Sequence, residues 1–403
     1  MRHVLKWARR SALAALTSTA LVTGLSGCTG GALDIASKPR SAEEAIRVVP
    51  EDGAKDIGPD GRLEVRLDEG RLERVAVTRI ESDAPTPIPG TISHDGLRWR
   101  PHPGARLATA AKYRVDAVAL DGHGRRSARH TTFTTVVPEH RFIGYFKPEN
   151  RSTVGTGMIV SVNFNRKIQD QAAVQRAIRV TSDPPVEIVG HWFGADRLDF
   201  RPERYWAPGT TVTVDIQLRD VQGAPGSYGV QRRTASFTVG RHQVSQVDAE
   251  AKTMRVWRDG GLIATVPITA GSAKSTTYNG KMVVSEMFEV TRMDGDTVGF
   301  GGEYDIKDVP HAMRLTRSGT FLHGNYWASR DVFGQTNVSH GCVGLRDVKG
   351  GGGSTPAGWF FDRTLIGDVI EVVNSKERIV AANNGLSGWN LTWERWKQGS
   401  ALG

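Results

Sequence analysis

Cysteine is almost absent: the 403 residues hold two, Cys28 and Cys342. Thiols so far apart build neither a disulfide-dense secreted scaffold nor a four-thiolate zinc site, both of which need closely paired cysteines. Dense positive charge is also missing. Against 43 Asp and Glu stand 52 Lys and Arg, a net +9 spread without a basic run, so the footprint of a nucleic-acid binder is not there. The apolar stretch at residues 12–25 is shorter than the roughly 20 residues a spanning helix needs. What remains is ordinary globular composition, 39% hydrophobic and 24% charged. At roughly 100 to 200 residues per domain it predicts two to four domains.

The N-terminus gives the first cysteine a reading. Arg2, Lys6, Arg9 and Arg10 precede the apolar stretch without any acid, and Leu25-Ser26-Gly27-Cys28 follows, the layout of an export signal. Those last four residues resemble a bacterial lipobox, which implies cleavage after Gly27 and diacylation of Cys28. The alternative is a plain secretory signal with a chance cysteine. Acyl chains contribute about 0.8 kcal/mol per buried CH2, so several on one residue anchor stably. The expectation is a protein tethered to the outer face of the cytoplasmic membrane, facing the wall. Arg9-Arg10 leaves the export route open. Without the four signal charges, 48 basic side chains face 43 acidic ones, a weak bias.

Residues 28–41 are rich in Gly, Ala and Ser without periodicity and read as a flexible tether. An internal repeat follows at an offset of about one hundred residues. Ser82-Asp83, Pro85, Ile88 and Gly90 recur as Ser182-Asp183, Pro185, Ile188 and Gly190, and Leu97-Arg98-Trp99-Arg100-Pro101 as Leu198-Asp199-Phe200-Arg201-Pro202. Within the copies, Leu63, Val65, Leu67 and Val160, Val162, Phe164 alternate with period two, the mark of half-buried strands. Two immunoglobulin-like β-sandwiches are expected, at 42–138 and 139–240. With no chemistry-bearing cluster in either, they read as spacers or docking modules. The sharper alternative is a glycan-binding surface using Trp192, Phe193 and Trp206.

From 241 to 375 the pattern predicts a third, mainly β domain, with a hairpin turning at Asp259-Gly260-Gly261 and a last strand at residues 369–373. Inside it stand Phe321-Leu322-His323-Gly324-Asn325-Tyr326-Trp327 and Asn337-Val338-Ser339-His340-Gly341-Cys342-Val343-Gly344. A lone Cys with two His nearby suits a thiol nucleophile with a general base. A free thiol, with a pKa of about 8.5, is mostly protonated at neutral pH and needs an imidazole to take its proton. Gly341 lets the backbone turn tightly before the thiol, so that amide N–H groups can face an oxyanion. Residue types alone leave a buried structural cysteine, or a metal held by His323, His340 and Cys342, as alternatives.

His323 followed after fifteen residues by Ser339-His340-Gly341-Cys342 resembles the signature of the bacterial L,D-transpeptidases. The likeness extends over the lipobox, the two modules and a Trp-rich tail, the layout of the mycobacterial and actinobacterial type. It implies a peptidoglycan transpeptidase without metal or organic cofactor: Cys342 as nucleophile, His323 as base and the Gly324 carbonyl orienting the ring. His340 and Gly341 would shape the nucleophile loop, with N–H groups of Gly341 and Cys342 as oxyanion donors. Tyr304 would sit on a lid, with Asn325, Trp327 and Ser339 bordering the substrate. Peptidoglycan stem peptides are the implied partners, and carbapenem-type β-lactams the implied covalent inhibitors.

The implied product is a 3→3 cross-link. A carboxypeptidase or endopeptidase using the same acyl-enzyme, and a non-catalytic wall-binding lipoprotein, are the alternatives. One departure stands out, Gly344 where the family commonly has Asn. In the tail, residues 376–403, Trp389, Trp393 and Trp396 at i, i+4 and i+7 predict one face of a short helix ending at Gly399, packed on the neighbouring domains.

Overall fold

The computed structural model describes residues 45–80, 85–298 and 305–403. Cys28 and Tyr304 therefore lie outside the described residues. Strands dominate, and the repeat seen in the sequence is a repeat of topology. In the first module one sheet runs Arg47–Val49, Glu64–Arg66, Arg98–Pro101, Gly90–Ile92; in the second the corresponding order is Gly144–Lys147, Val160–Phe164, Arg197–Pro202, Ile188–Phe193. The alternating apolar residues fill the sandwich between each such sheet and its partner: Leu63, Val65, Leu67 and Trp99 in the first, Val160, Val162, Phe164 and Phe200 in the second, all buried.

Trp192 and Trp206 belong to that core, 8% and 3% exposed. Their N–H groups are spent on Gln175 Oε1 and the Met158 carbonyl. Phe193 packs against His191 and Trp396. A glycan-binding surface made of these three is thereby ruled out, because burying large rings stabilises the sandwich only if they leave the surface.

The third domain is one nine-stranded sheet folded around a core, in the order Gly280–Val283, Val369–Val373, Gln243–Asp248, Thr253–Arg258, Gly261–Thr269, Val343–Arg346, Phe321–Asn325, Asp305–Arg314, Glu286–Asp294. At its hairpin Asp259 and Gly260 both have positive φ, 49° and 86°, as a two-residue turn with matching twist requires. The helix Pro356–Phe361, capped by the Thr355 hydroxyl, buries Phe360 against the sheet.

The tail differs from the single helical face expected. Trp389 lies in a 3-10 turn, Leu391 is extended, and the Thr392 hydroxyl, accepting from Arg395 N–H, starts a six-residue helix only at Trp393. An N-cap residue needs non-helical backbone, so the chain breaks there. The three indoles still converge, stacking around the Arg201 guanidinium of the second module at 4.6, 5.4 and 4.4 Å. Trp389 Nε1 donates to the Gly157 carbonyl and Trp396 Nε1 to that of Val189. Arg241 adds a bidentate ion pair to the buried Asp368. Second module and tail thus share one core, to which the third domain contributes Val283 beside a core of its own.

Candidate active site

Two parallel strands position the chemistry. Leu322 pairs with Val343, His323 with Gly344 and Gly324 with Leu345. Side chains alternate along a strand, so fully buried Leu322, Val343 and Leu345 face the core while His323 and Gly344 face the other way. Cys342, two residues before Gly344, joins that second face. His323 and Cys342 consequently line one cavity of about 320 Å³. Its walls include Met293, Ile306, Val338 and Trp327.

The thiol is held weakly and in apolar company. Cys342 Sγ points at the Gly319 carbonyl at 3.6 Å and accepts the Phe321 N–H at 3.4 Å. Met293, Ile306 and Phe321 belong to the cluster around it. Burial pushes the thiol up to about 11, against a small opposing effect of the Phe321 bond. His323 is 4% exposed, and burial pushes its imidazole below 6.5, while the Gly324 carbonyl and the Asp347 charge pull the other way. Both groups are accordingly neutral at rest near pH 7. The Gly324 carbonyl oxygen lies 2.9 Å from Nδ1. A carbonyl can only accept, which puts the proton on Nδ1 and leaves Nε2 as the acceptor for a thiol proton.

Ser339 and Gly341 shape the loop that carries the thiol. The Ser339 hydroxyl donates to the Cys342 carbonyl at 2.6 Å and accepts the Gly341 N–H at 3.1 Å. Ser339 is also zipped to the segment just past the strand Gly261–Thr269, its N–H donating to the Ala270 carbonyl and its carbonyl accepting the Ser272 N–H. Its hydroxyl braces the loop, while the residue also lines the cavity. The Gly341 N–H is spent in the same way, so it is not a free oxyanion donor; among the described residues, no hydrogen-bond partner is seen for the Cys342 N–H. Gly341 has φ 116°, a conformation that favours glycine. His340 is exposed and borders both this cavity and a polar depression lined by Lys274, Thr276 and Glu377.

Asn325 and Trp327 complete the rim. Asn325 is 4% exposed, and its Oδ1 accepts the Ala328 N–H at 3.0 Å. A Cβ at Gly344 would lie 2.9 Å from Thr269 Cγ2 and 3.3 Å from Asn325 Nδ2. An amide from the adjacent strand therefore fills the space beside Gly344. Trp327 lies parallel to the His323 ring, 5.5 Å away and 43% exposed.

Sequence reasoning missed the residues behind His323. Buried Asp347 and partly buried His311 form a pair, Oδ2 to Nδ1 2.7 Å, with the carboxylate against the far side of Gly324. Only the smallness of residue 324, next to the histidine, hinted that something else needed its side-chain space. Among the described residues, no three His, Cys, Asp or Glu converge in a way that could hold a metal ion.

Fold and cavity contents define a class: a thiol-bearing β-sheet catalytic domain carried on immunoglobulin-like modules. Comparison with known proteins agrees. The family model for the L,D-transpeptidase catalytic domain matches residues 242–372, and that for a bacterial Ig domain matches 54–222. L,D-transpeptidase 2 of Mycobacterium tuberculosis (strain CDC 1551 / Oshkosh) is 31% identical over 405 residues, covering 98% of this chain and 96% of the relative. L,D-transpeptidase 5 of strain H37Rv is 30% identical over 402 residues, covering 98% and 85%. A solved structure of LD transpeptidase LdtMt1 in complex with imipenem aligns at TM-score 0.48 and 29% identity, over 59% of this chain and 100% of that one. The chain belongs to the L,D-transpeptidase family.

Proposed function

We propose that the protein forms 3→3 peptidoglycan cross-links through a thioester on Cys342. The observation that carries this reading is the thiol and the tautomer-fixed imidazole of His323 lining one cavity. His323 Nε2 takes the Cys342 proton as the sulfur attacks the carbonyl of the third residue of a tetrapeptide stem. The Cys342 N–H is the loop donor left for the oxyanion. Collapse of the tetrahedral intermediate breaks the amide bond, and the imidazolium gives its proton to the departing D-alanine. An amine of a second stem then attacks the thioester, His323 takes the amine's proton, and the thiol is restored. A carbapenem offers a strained carbonyl to the same sulfur and should stop at the acyl stage.

Water in place of the acceptor amine would make the same thioester serve a carboxypeptidase. Incubation of a tetrapeptide donor with and without an acceptor stem separates the two: a cross-linked dimer with loss of D-alanine supports transpeptidation, and tripeptide alone overturns it. For placement, we infer that acylated Cys28 tethers the chain outside the cytoplasmic membrane, with the two modules setting the active site at a distance from it.

A further inference from the structure

We propose that Asp347, held in place by His311 and Thr355, is a positioning residue that supports His323 from behind, supplying the fixed negative charge against which the imidazolium forms. The proposal rests on the reading of His323 as the base. It starts from a space problem. A Cβ at residue 324 would lie 1.9 Å from Asp347 Oδ2, so the carboxylate occupies the side-chain position of the residue whose carbonyl holds the His323 ring. No larger residue fits at 324 while Asp347 keeps this place.

The carboxylate is fully buried, and burying a charge costs heavily unless it is paired. Three donors meet that cost. His311 Nδ1–H donates to Oδ2 at 2.7 Å, and the Thr355 hydroxyl and the Val348 N–H donate to Oδ1 at 2.9 and 2.8 Å. His311 does so at φ 49°, an unusual conformation for a histidine, with its ring against Phe361. Thr355 is fixed in turn as the cap of the helix Pro356–Phe361. A carboxylate that only braced a loop would not need this much apparatus at this place. A thiol–imidazole pair that is neutral at rest must separate charge to react, and a fixed negative charge behind the imidazole favours that step. The Asp347 charge already opposes the effect of burial on His323.

Other titratable groups face the same region: His311 and Asp308 on the strand Asp305–Arg314, Lys349 and Tyr326 paired with Asp308, Arg346 on the strand Val343–Arg346, and His340 and Cys342 across the cavity. Of these only His311, the carboxylate's own partner, loses a contact when Asp347 is substituted, so the same titration is run on His311→Gln, whose His323 midpoint should stay within a few tenths of a unit of the wild-type value.

The test is an NMR titration of His323 in the full chain carrying Cys342→Ala, with and without Asp347→Asn. The His323 signal is assigned by its loss in His323→Gln. The midpoint is expected to fall by about one pH unit in Asp347→Asn, with a matching tenfold slowing of Cys342 acylation at pH 7 when the thiol is restored. Should Asp347→Asn fail to fold, Asp347→Ser gives the same neutral position in a smaller side chain, and the same shift is expected. A midpoint that stays put in a folded variant overturns the proposal. This outcome is separable from failure of the functional reading: the titration contains no reacting thiol, and absence of a thioester on wild type would leave a shifted midpoint intact.

Discussion

The indole of Trp327 lies nearly parallel to the imidazole of His323, at 14° and 5.5 Å between ring centres. One face of the ring is thereby covered, and an aromatic face favours the protonated form once the proton arrives. At rest burial wins, and the imidazole titrates below 6.5.

A pH profile follows from that order of effects. Above the lowered His323 value the ring is neutral and can accept the thiol proton; as pH falls through it the base is lost. The thiol does not ionise by itself until about 11. Carbapenem acylation should therefore hold a plateau through neutral and mildly alkaline pH and decline on the acid side. Stopped-flow rates across pH 4.5–10 check this, and an acid limb centred at or above 6.5 would contradict it.

Restoring the family's asparagine should harm this chain. Gly344→Asn drives a side chain into Thr269 and Asn325, and overpacking of this kind costs about 1–3 kcal/mol. Lower thermal stability and slower acylation are expected, with partial recovery in the double variant Gly344→Asn, Asn325→Ala. A gain of activity in the single variant would show that the Asn325 amide does not stand in for it.

The tail should be a structural clamp. Trp396 is fully buried, stacked on His191 at 4.7 Å and bonded through Nε1 to the Val189 carbonyl. Trp396→Ala should cost about 3–5 kcal/mol, the range for removing a buried large aromatic. Calorimetry reads the lowered melting temperature, and limited proteolysis should release the tail. An unchanged melting temperature would mean that the tail is not part of the second module's core.

Membrane attachment should depend on a single sulfur. If Cys28 carries the acyl chains proposed above, Cys28→Ala should move the protein from the membrane fraction to the medium, read by fractionation and blotting. Retention at the wild-type level would leave the anchor unexplained.

His323 and Cys342 were legible in the sequence through their residue types and their spacing as a motif, and strand pairing explains why they meet. Given His323 on one strand and Cys342 just before the next, parallel pairing places both on one face. Spacing cannot report who competes for space, which is why Asp347 behind Gly324 and Asn325 beside Gly344 emerged only in three dimensions. Ser339 lines the cavity as expected, and its hydroxyl also braces the backbone at the Cys342 carbonyl and the Gly341 N–H, a duty that spacing does not report. The tryptophan spacing in the tail was wrong about one continuous helical face, because Thr392 caps a helix that starts later, and the meeting of the three rings at Arg201 was visible only in the structure. Tyr304 falls outside the described residues.

Intact-mass analysis after mixing with a tetrapeptide donor or a carbapenem tests the central claim most directly. One adduct per chain is expected, localised by peptide mapping to Cys342, lost in Cys342→Ala and formed much more slowly in His323→Gln. An undiminished adduct on Cys342→Ala, or none on the wild type with either reagent, would contradict the account.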